Sequence, residues 1–153
     1  MTPQTTLAAD TTAVRAPKSL ARHLATAARV LLGLMFAVFG LNGFLNFIPP
    51  PTTPIPEGAM AFSMALMKTG YMMPLIKGTE LVAGLLLLSN RFVPLALVLL
   101  APVVVNIVAF HVFLAPEGTG MTLFVLAMEL YLAWTYRDVY RALLTPRAAP
   151  GAR

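Results

Sequence analysis

Residues 27–48 read AARVLLGLMFAVFGLNGFLNFI, an apolar run broken by one arginine near its start and two asparagines near its end. As a helix rising about 1.5 Å per residue it would be about 33 Å long, enough to cross the hydrocarbon core of a bilayer. A cleaved secretory signal would have a shorter apolar region followed by small residues, whereas Pro49-Pro50-Pro51 follows here. The run is read as a retained membrane-spanning helix, and it sets the class of the whole chain.

The composition agrees. Hydrophobic residues make up 58% of the 153 residues and charged residues only 11%, with a mean hydropathy of +0.78. Soluble domains are usually about a quarter charged. The absence of cysteine excludes disulfides, thiolate metal sites and thiol redox chemistry. A net charge of +5 raises the question of nucleic acid. The basic residues, however, sit beside apolar stretches, where they orient a membrane protein and meet lipid headgroups. Membrane lipids are therefore the expected partners, and nucleic acid is not.

Three further apolar stretches follow, giving expected spans at 27–48, 71–89, 92–114 and 121–136 within a transmembrane domain of residues 19–140. The first helix should begin near Ser19, a good N-cap after Pro17. Residues 1–18 and 141–153 read as cytoplasmic tails, the second basic. Between the first two spans lies a proline-rich loop, Pro49 to Pro56. A short amphipathic helix comes next, Ala59 to Lys68, closed by Gly70. It is too short to span and should lie in the interface. Lys and Arg place the ends: Arg15, Lys18, Arg22, Arg29, Arg91 and the arginines after Tyr136 fall on one side, Lys68 and Lys77 on the other. The expected fold is thus an all-α four-helix bundle in the bacterial inner membrane, both termini cytoplasmic.

Ionisable side chains inside a span cost about 2.5 kcal/mol or more, so they point to function. Lys77 and Glu80 fall in the second span, His111 in the third and Glu129 in the fourth, with Asn42, Asn46 and Asn106 as neutral partners. Counted from the outer ends, Asn42 lies about 9 Å deep, and Glu80, Asn106 and Glu129 about 12–14 Å. All seven are expected to line a pocket in the outer half of the bilayer. Glu80, His111 and Glu129 are the candidates for any catalytic role. Asn42 and Asn46 share a helical face, as do Lys77 and Glu80; Asn106 and His111, five apart, do not. Gly33, Ala37 and Gly40 form a small-residue stripe, and Gly84 would admit a neighbouring helix. Met60, Met64 and Met67 share one face of the short helix. Thioethers suit Cu(I), but Met also packs well on any apolar surface, and no metal is assigned.

The same residues carry a family resemblance. Arg29 through Gly33, the Phe39-Gly40-Leu41-Asn42-Gly43-Phe44 stretch, Glu80-Leu-Val-Ala-Gly84 with the leucines after it, Asn90-Arg91, Pro102, Asn106, His111 and Glu129 together resemble the DoxX family of small bacterial membrane proteins. The resemblance implies a four-helix membrane bundle. It also implies a link to quinones, since some relatives are subunits of thiosulfate:quinone oxidoreductases.

Three functions remain open from the sequence. The first is an accessory protein, not catalytic by itself, that binds a small amphipathic ligand. The second is the membrane subunit of a quinone-linked oxidoreductase, with a redox protein as partner and a quinone as cofactor. The third is a scaffold or assembly factor whose polar groups only hold the helices together.

Overall fold

A computed structural model describes residues 18–141. The tails expected at 1–18 and 141–153 lie outside it, except for Lys18 and Arg141. The described residues are helical, with no strand among them. Helix α1 (Lys18–Leu45) leads through the proline-rich loop to α2 (Glu57–Lys68). Then come α3 (Met72–Leu88), α4 (Val93–Phe113), a 3-10 turn at Pro116–Gly118, α5 (Thr119–Thr135) and the four-residue α6 (Arg137–Tyr140).

Local chemistry sets each boundary. Helix α1 stops at Leu45, three residues before the apolar run ends. Asn46 adopts a left-handed φ of 48°, its N–H bonds back to Asn42 O at 2.9 Å, and the three prolines cannot continue the helix. Gly70 closes α2 in the same left-handed region, φ 75°, with its N–H on Met67 O. At the end of α3, Asn90 takes φ 55°. Its N–H bonds to Leu87 O while that of Arg91 bonds to Leu86 O, which is the paired closure of a Schellman turn. Phe92 follows with φ 52°, unusual for a bulky residue, and its carbonyl accepts from Ala96 N–H in the first turn of α4. This chain reversal is complete in four residues.

Helix α1 packs most extensively on α3, α3 on α4, α4 on α5, and α5 returns to α1 over the smallest shared area. The α1–α3 seam is a backbone-to-backbone approach: a Cβ on Gly40 would stand 2.9 Å from Lys77 O, and one on Gly84 would overlap the backbone of Ala37. The small residues of both helices are used as the sequence pattern predicts. Leu32, Phe36, Ala83, Leu87, Leu97, Leu100, Val104, Val125 and Leu132 form the core. Outside it, large apolar side chains from every long helix stay exposed, among them Leu34, Val82, Val105 and Phe124.

Two helices are long and apolar enough to cross a membrane, Leu20–Leu45 and Val93–Phe113. Helices α2 and α3 would add a third if the pair, bent by 94°, were one broken span. The sequence reading expected four; α3 and α5 have 17 residues each, about 26 Å. Every long helix is apolar and lipid-compatible outside the core, and the protein is a membrane protein.

Candidate functional site

The arginines gather at the end where α1 begins and α5 finishes. Lys77, Glu80 and His111 gather toward the other, far end. There a cavity of about 470 Å³ opens among four helices. Met35, Phe36 and Phe39 of α1 and Met121 and Val125 of α5 form its apolar sides; Lys77 and Glu80 of α3 and His111 of α4 supply the charged and titratable groups.

Lys77 and Glu80 are paired, Nζ to Oε2 at 2.8 Å, the lysine side chain 26% exposed and the glutamate only 4%. Their spacing of three residues places both on one face of α3. The lysine stem runs against Gly43 of α1, where any side chain would collide with it. The carboxylate is therefore held deep while the ammonium reaches it from the rim. A buried carboxylate without such a partner would be costly, so the pair stands or falls together.

His111 is fixed by a 2.9 Å contact between Nδ1 and Ile107 O, one turn back on its own helix. A carbonyl only accepts, so Nδ1 carries the proton, and Nε2 is left for another partner. The ring occupies the space that a side chain at position 118 would fill. Gly118, the last residue of the 3-10 turn, is what gives the imidazole room beside the cavity.

Glu80 also borders a second cavity of about 250 Å³ on the other side of α3, beneath α2, with Phe62, Leu66, Pro102 and Asn106. Helix α2 covers this side through Phe62, whose ring lies 5.7 Å from that of Phe110, and through the fully buried Ala59. Asn106 and His111, five residues apart on α4, accordingly serve different cavities, with Glu80 between them. Met60, Met64 and Met67 point outward from α2 and are about half exposed. Among the described residues no three His, Cys, Asp or Glu side chains gather as a metal ion would require.

Four of the seven residues expected in one pocket stand apart from this cavity: Asn106 lines the second one, and three lie elsewhere. The Asn42 side chain accepts Ile48 N–H at 2.7 Å and shapes the turn after α1. Asn46 is exposed in that turn, and its left-handed backbone accounts for its identity. Glu129 lies one turn beyond Val125 on the same face of α5, below the cavity and nearer the arginine-rich end. Because α5 begins at Thr119, Glu129 is about 15 Å from the far end and about 9 Å from the other. It is 5% exposed, and its Oε1 has no hydrogen-bond partner. Its charge reaches Tyr140 of α6, whose phenol is pushed above its usual range first by burial and then by Glu129.

Two residues gain roles the sequence did not show. Gly118 sits in a Pro-Glu-Gly stretch that signals only a turn. Arg29, legible as an orienting charge, also donates to Leu87 O and to Leu88 O at 3.4 Å. It thereby adds a donor at the last carbonyls of α3 and meets the partial negative charge there.

A family model described as DoxX matches residues 24–115. No curated protein and no solved structure matches the chain. The matched stretch takes in most of α1 and all of α2, α3 and α4, with Arg29, Lys77, Glu80 and His111, and stops before α5. It covers more than half of the sequence, and the chain belongs to the DoxX family of membrane proteins.

Proposed function

We propose that this DoxX protein is an accessory membrane protein that holds a small amphipathic ligand in the cavity of Lys77, Glu80 and His111. The observation that carries this reading is the distribution of chemistry in that cavity. An apolar body has Met35, Phe36, Phe39 and Val125 to lie against, while a polar head meets an ammonium, a carboxylate and an imidazole nitrogen. The volume of about 470 Å³ lies within the usual range of about 300–1,000 Å³ for such sites. A ring bearing carbonyl or hydroxyl groups matches this set: Lys77 donates to a carbonyl, and His111 Nε2 accepts from a hydroxyl. Quinones and quinols belong to that class.

The proposed setting is a bacterial inner membrane crossed by α1, α3, α4 and α5 as a four-helix bundle, with α2 in the outer interface. Both termini are cytoplasmic. The bias of Arg22, Arg29, Arg91 and Arg137 to one end supports the orientation. Helices α3 and α5, at about 26 Å, are slightly shorter than a hydrocarbon core of about 30 Å, a mismatch that local thinning absorbs at small cost.

The test is mass spectrometry of lipophilic molecules retained by the full-length protein after mild detergent extraction. Wild type should carry one near-stoichiometrically. Glu80→Gln and His111→Phe should retain about tenfold less, the effect of losing one well-placed polar contact. An empty wild type, or variants that keep the molecule while losing stability, would favour the scaffold reading.

A second reading rests on one observation, that Glu80 and the free nitrogen of His111 share a cavity. As the membrane subunit of a quinone-linked oxidoreductase, these two would pass protons to a quinone being reduced. The electrons would come from a partner protein carrying a redox centre. Copurification of such a partner, with quinone reduction lost in His111→Phe, distinguishes this reading from the first.

A further inference from the structure

A further cavity lies apart from the one described above. It measures about 680 Å³ and opens at the arginine-rich end, between the first turns of α1 and the last turns of α5. Arg22, Arg29 and Arg137 all border it, together with Asn90, Tyr131 and Trp134, and among the described residues no acidic one does. Among the described residues none of these arginines is ion-paired, the ion pairs there being Lys77–Glu80 and Asp138–Arg141.

Each guanidinium has five donors, and only some are committed. Arg29 gives one nitrogen to the carbonyls ending α3. Arg137 donates one N–H to Trp134 O at 3.0 Å and lies 4.9 Å from the centre of the Trp134 ring. These contacts hold two of the three groups in place with donors to spare. Three positive charges around one cavity, with no negative charge in its wall, call for an anion with several acceptor oxygens.

The surroundings say which anion. The cavity lies at the end of apolar helices, where the protein passes from hydrocarbon to water. Trp134 is 68% exposed and Tyr131 37%, the rings expected at headgroup depth. On the same two helices Leu24 and Leu130 are more than half exposed on the apolar side. A soluble phosphate would use the arginines alone; a phospholipid uses the arginines, the ring belt and the apolar flank together.

We propose that this cavity is a binding site for the phosphodiester headgroup of an anionic phospholipid. It is separate from the ligand cavity at the far end and independent of what that cavity holds. The arginines bind the phosphate oxygens, with Asn90 available as a further donor, and the acyl chains run along the exposed leucines.

The test uses the full-length protein in nanodiscs or mild detergent. Phosphatidylglycerol and phosphatidylcholine are offered in competition, and bound lipid is counted by native mass spectrometry. Wild type should prefer phosphatidylglycerol. Arg22→Gln/Arg137→Gln should reduce that preference about 30-fold, from the usual contribution of two basic residues near an anionic surface. Both side chains are exposed, so the fold should survive their loss, and Arg22→Lys/Arg137→Lys should keep part of the preference. Arg91→Gln removes a charge at the same end but outside the cavity wall, and should leave the preference intact. Equal loss in Arg91→Gln would mean general charge attraction and would overturn the site. So would an unchanged preference in the double variant. Displacement of the lipid by millimolar inorganic phosphate would overturn the lipid assignment in favour of a free phosphoanion.

Discussion

The seat of His111 beside Gly118 makes a sharp energetic prediction. Gly118 has φ −86° and ψ −3°, which any residue can adopt, so Gly118→Ala introduces no backbone strain. Its effect is one of space. The new Cβ would stand 3.2 Å from His111 Cγ and overlap the far side of the ring. The imidazole must turn away, giving up its 2.9 Å bond to Ile107 O, a loss of about 1 kcal/mol. Crowding adds about 1–2 kcal/mol, so Gly118→Ala should cost about 2–3 kcal/mol in all. In a His111→Ala background the ring is gone and the same methyl group should cost close to nothing. The assay is a double-mutant cycle, measured by reversible unfolding in mixed micelles and followed by circular dichroism. The expected coupling energy is about 2 kcal/mol. If the two substitutions add to within about 0.5 kcal/mol, the ring does not occupy the space beside Gly118, and the polar wall of the cavity is wrongly built.

The other outcomes can be read in the same assay, or by hydrogen exchange. Gly84→Ala should destabilise by about 1–3 kcal/mol because its methyl meets the Ala37 backbone. Gly78→Ala in the same helix meets nothing within 4 Å and should stabilise by about 0.5–1 kcal/mol. Lys77→Met should cost more than Lys77→Met/Glu80→Leu, since only the single variant leaves a buried carboxylate without its partner; equal losses would mean the pair is not closed. Glu129→Met removes a buried oxygen that has no partner and should be neutral or stabilising by about 1–3 kcal/mol, whereas destabilisation would mean that something satisfies the carboxylate. Arg29→Leu should speed amide exchange at Ser89, Asn90 and Arg91, because the end of α3 loses its side-chain cap.

The helices were readable because long apolar runs and turn residues act at short range. The observed ends fall within a few residues of the expected ones, and α1 differs most because Asn46 and the prolines after it end the helix before the apolar run is over. Lys77, Glu80 and His111 stood out for a similar reason: a charged or titratable group in an apolar stretch is conspicuous whatever surrounds it. What sequence could not supply was rotation and shared use. Asn42 looks the same whether it faces a cavity or accepts an N–H from the following turn. Glu129 was placed too far out by counting from Met121, because the helix begins at Thr119, and its separation from Glu80 depends on how α5 is set against α3. Gly118 matters through a ring seven residues earlier in another helix, and no local pattern announces that.

The glycine seam between α1 and α3 has a mechanical consequence. At Gly40 and Gly84 backbone lies against backbone, so at these two points the helices are packed too closely to slide past one another. Helices α4 and α5 are joined to this pair by α3 on one flank, through the tight reversal at Asn90 and Phe92. On the other flank α5 meets α1 over the smallest area of the circuit, bridged near the arginine-rich end by the bond from Tyr131 Oη to Ala21 O at 3.3 Å. The arginine-rich cavity lies on that flank, and the ligand cavity opens among all four helices at the other end. The molecule is in effect a book with its spine at α3 and α4 and its open edge between α1 and α5.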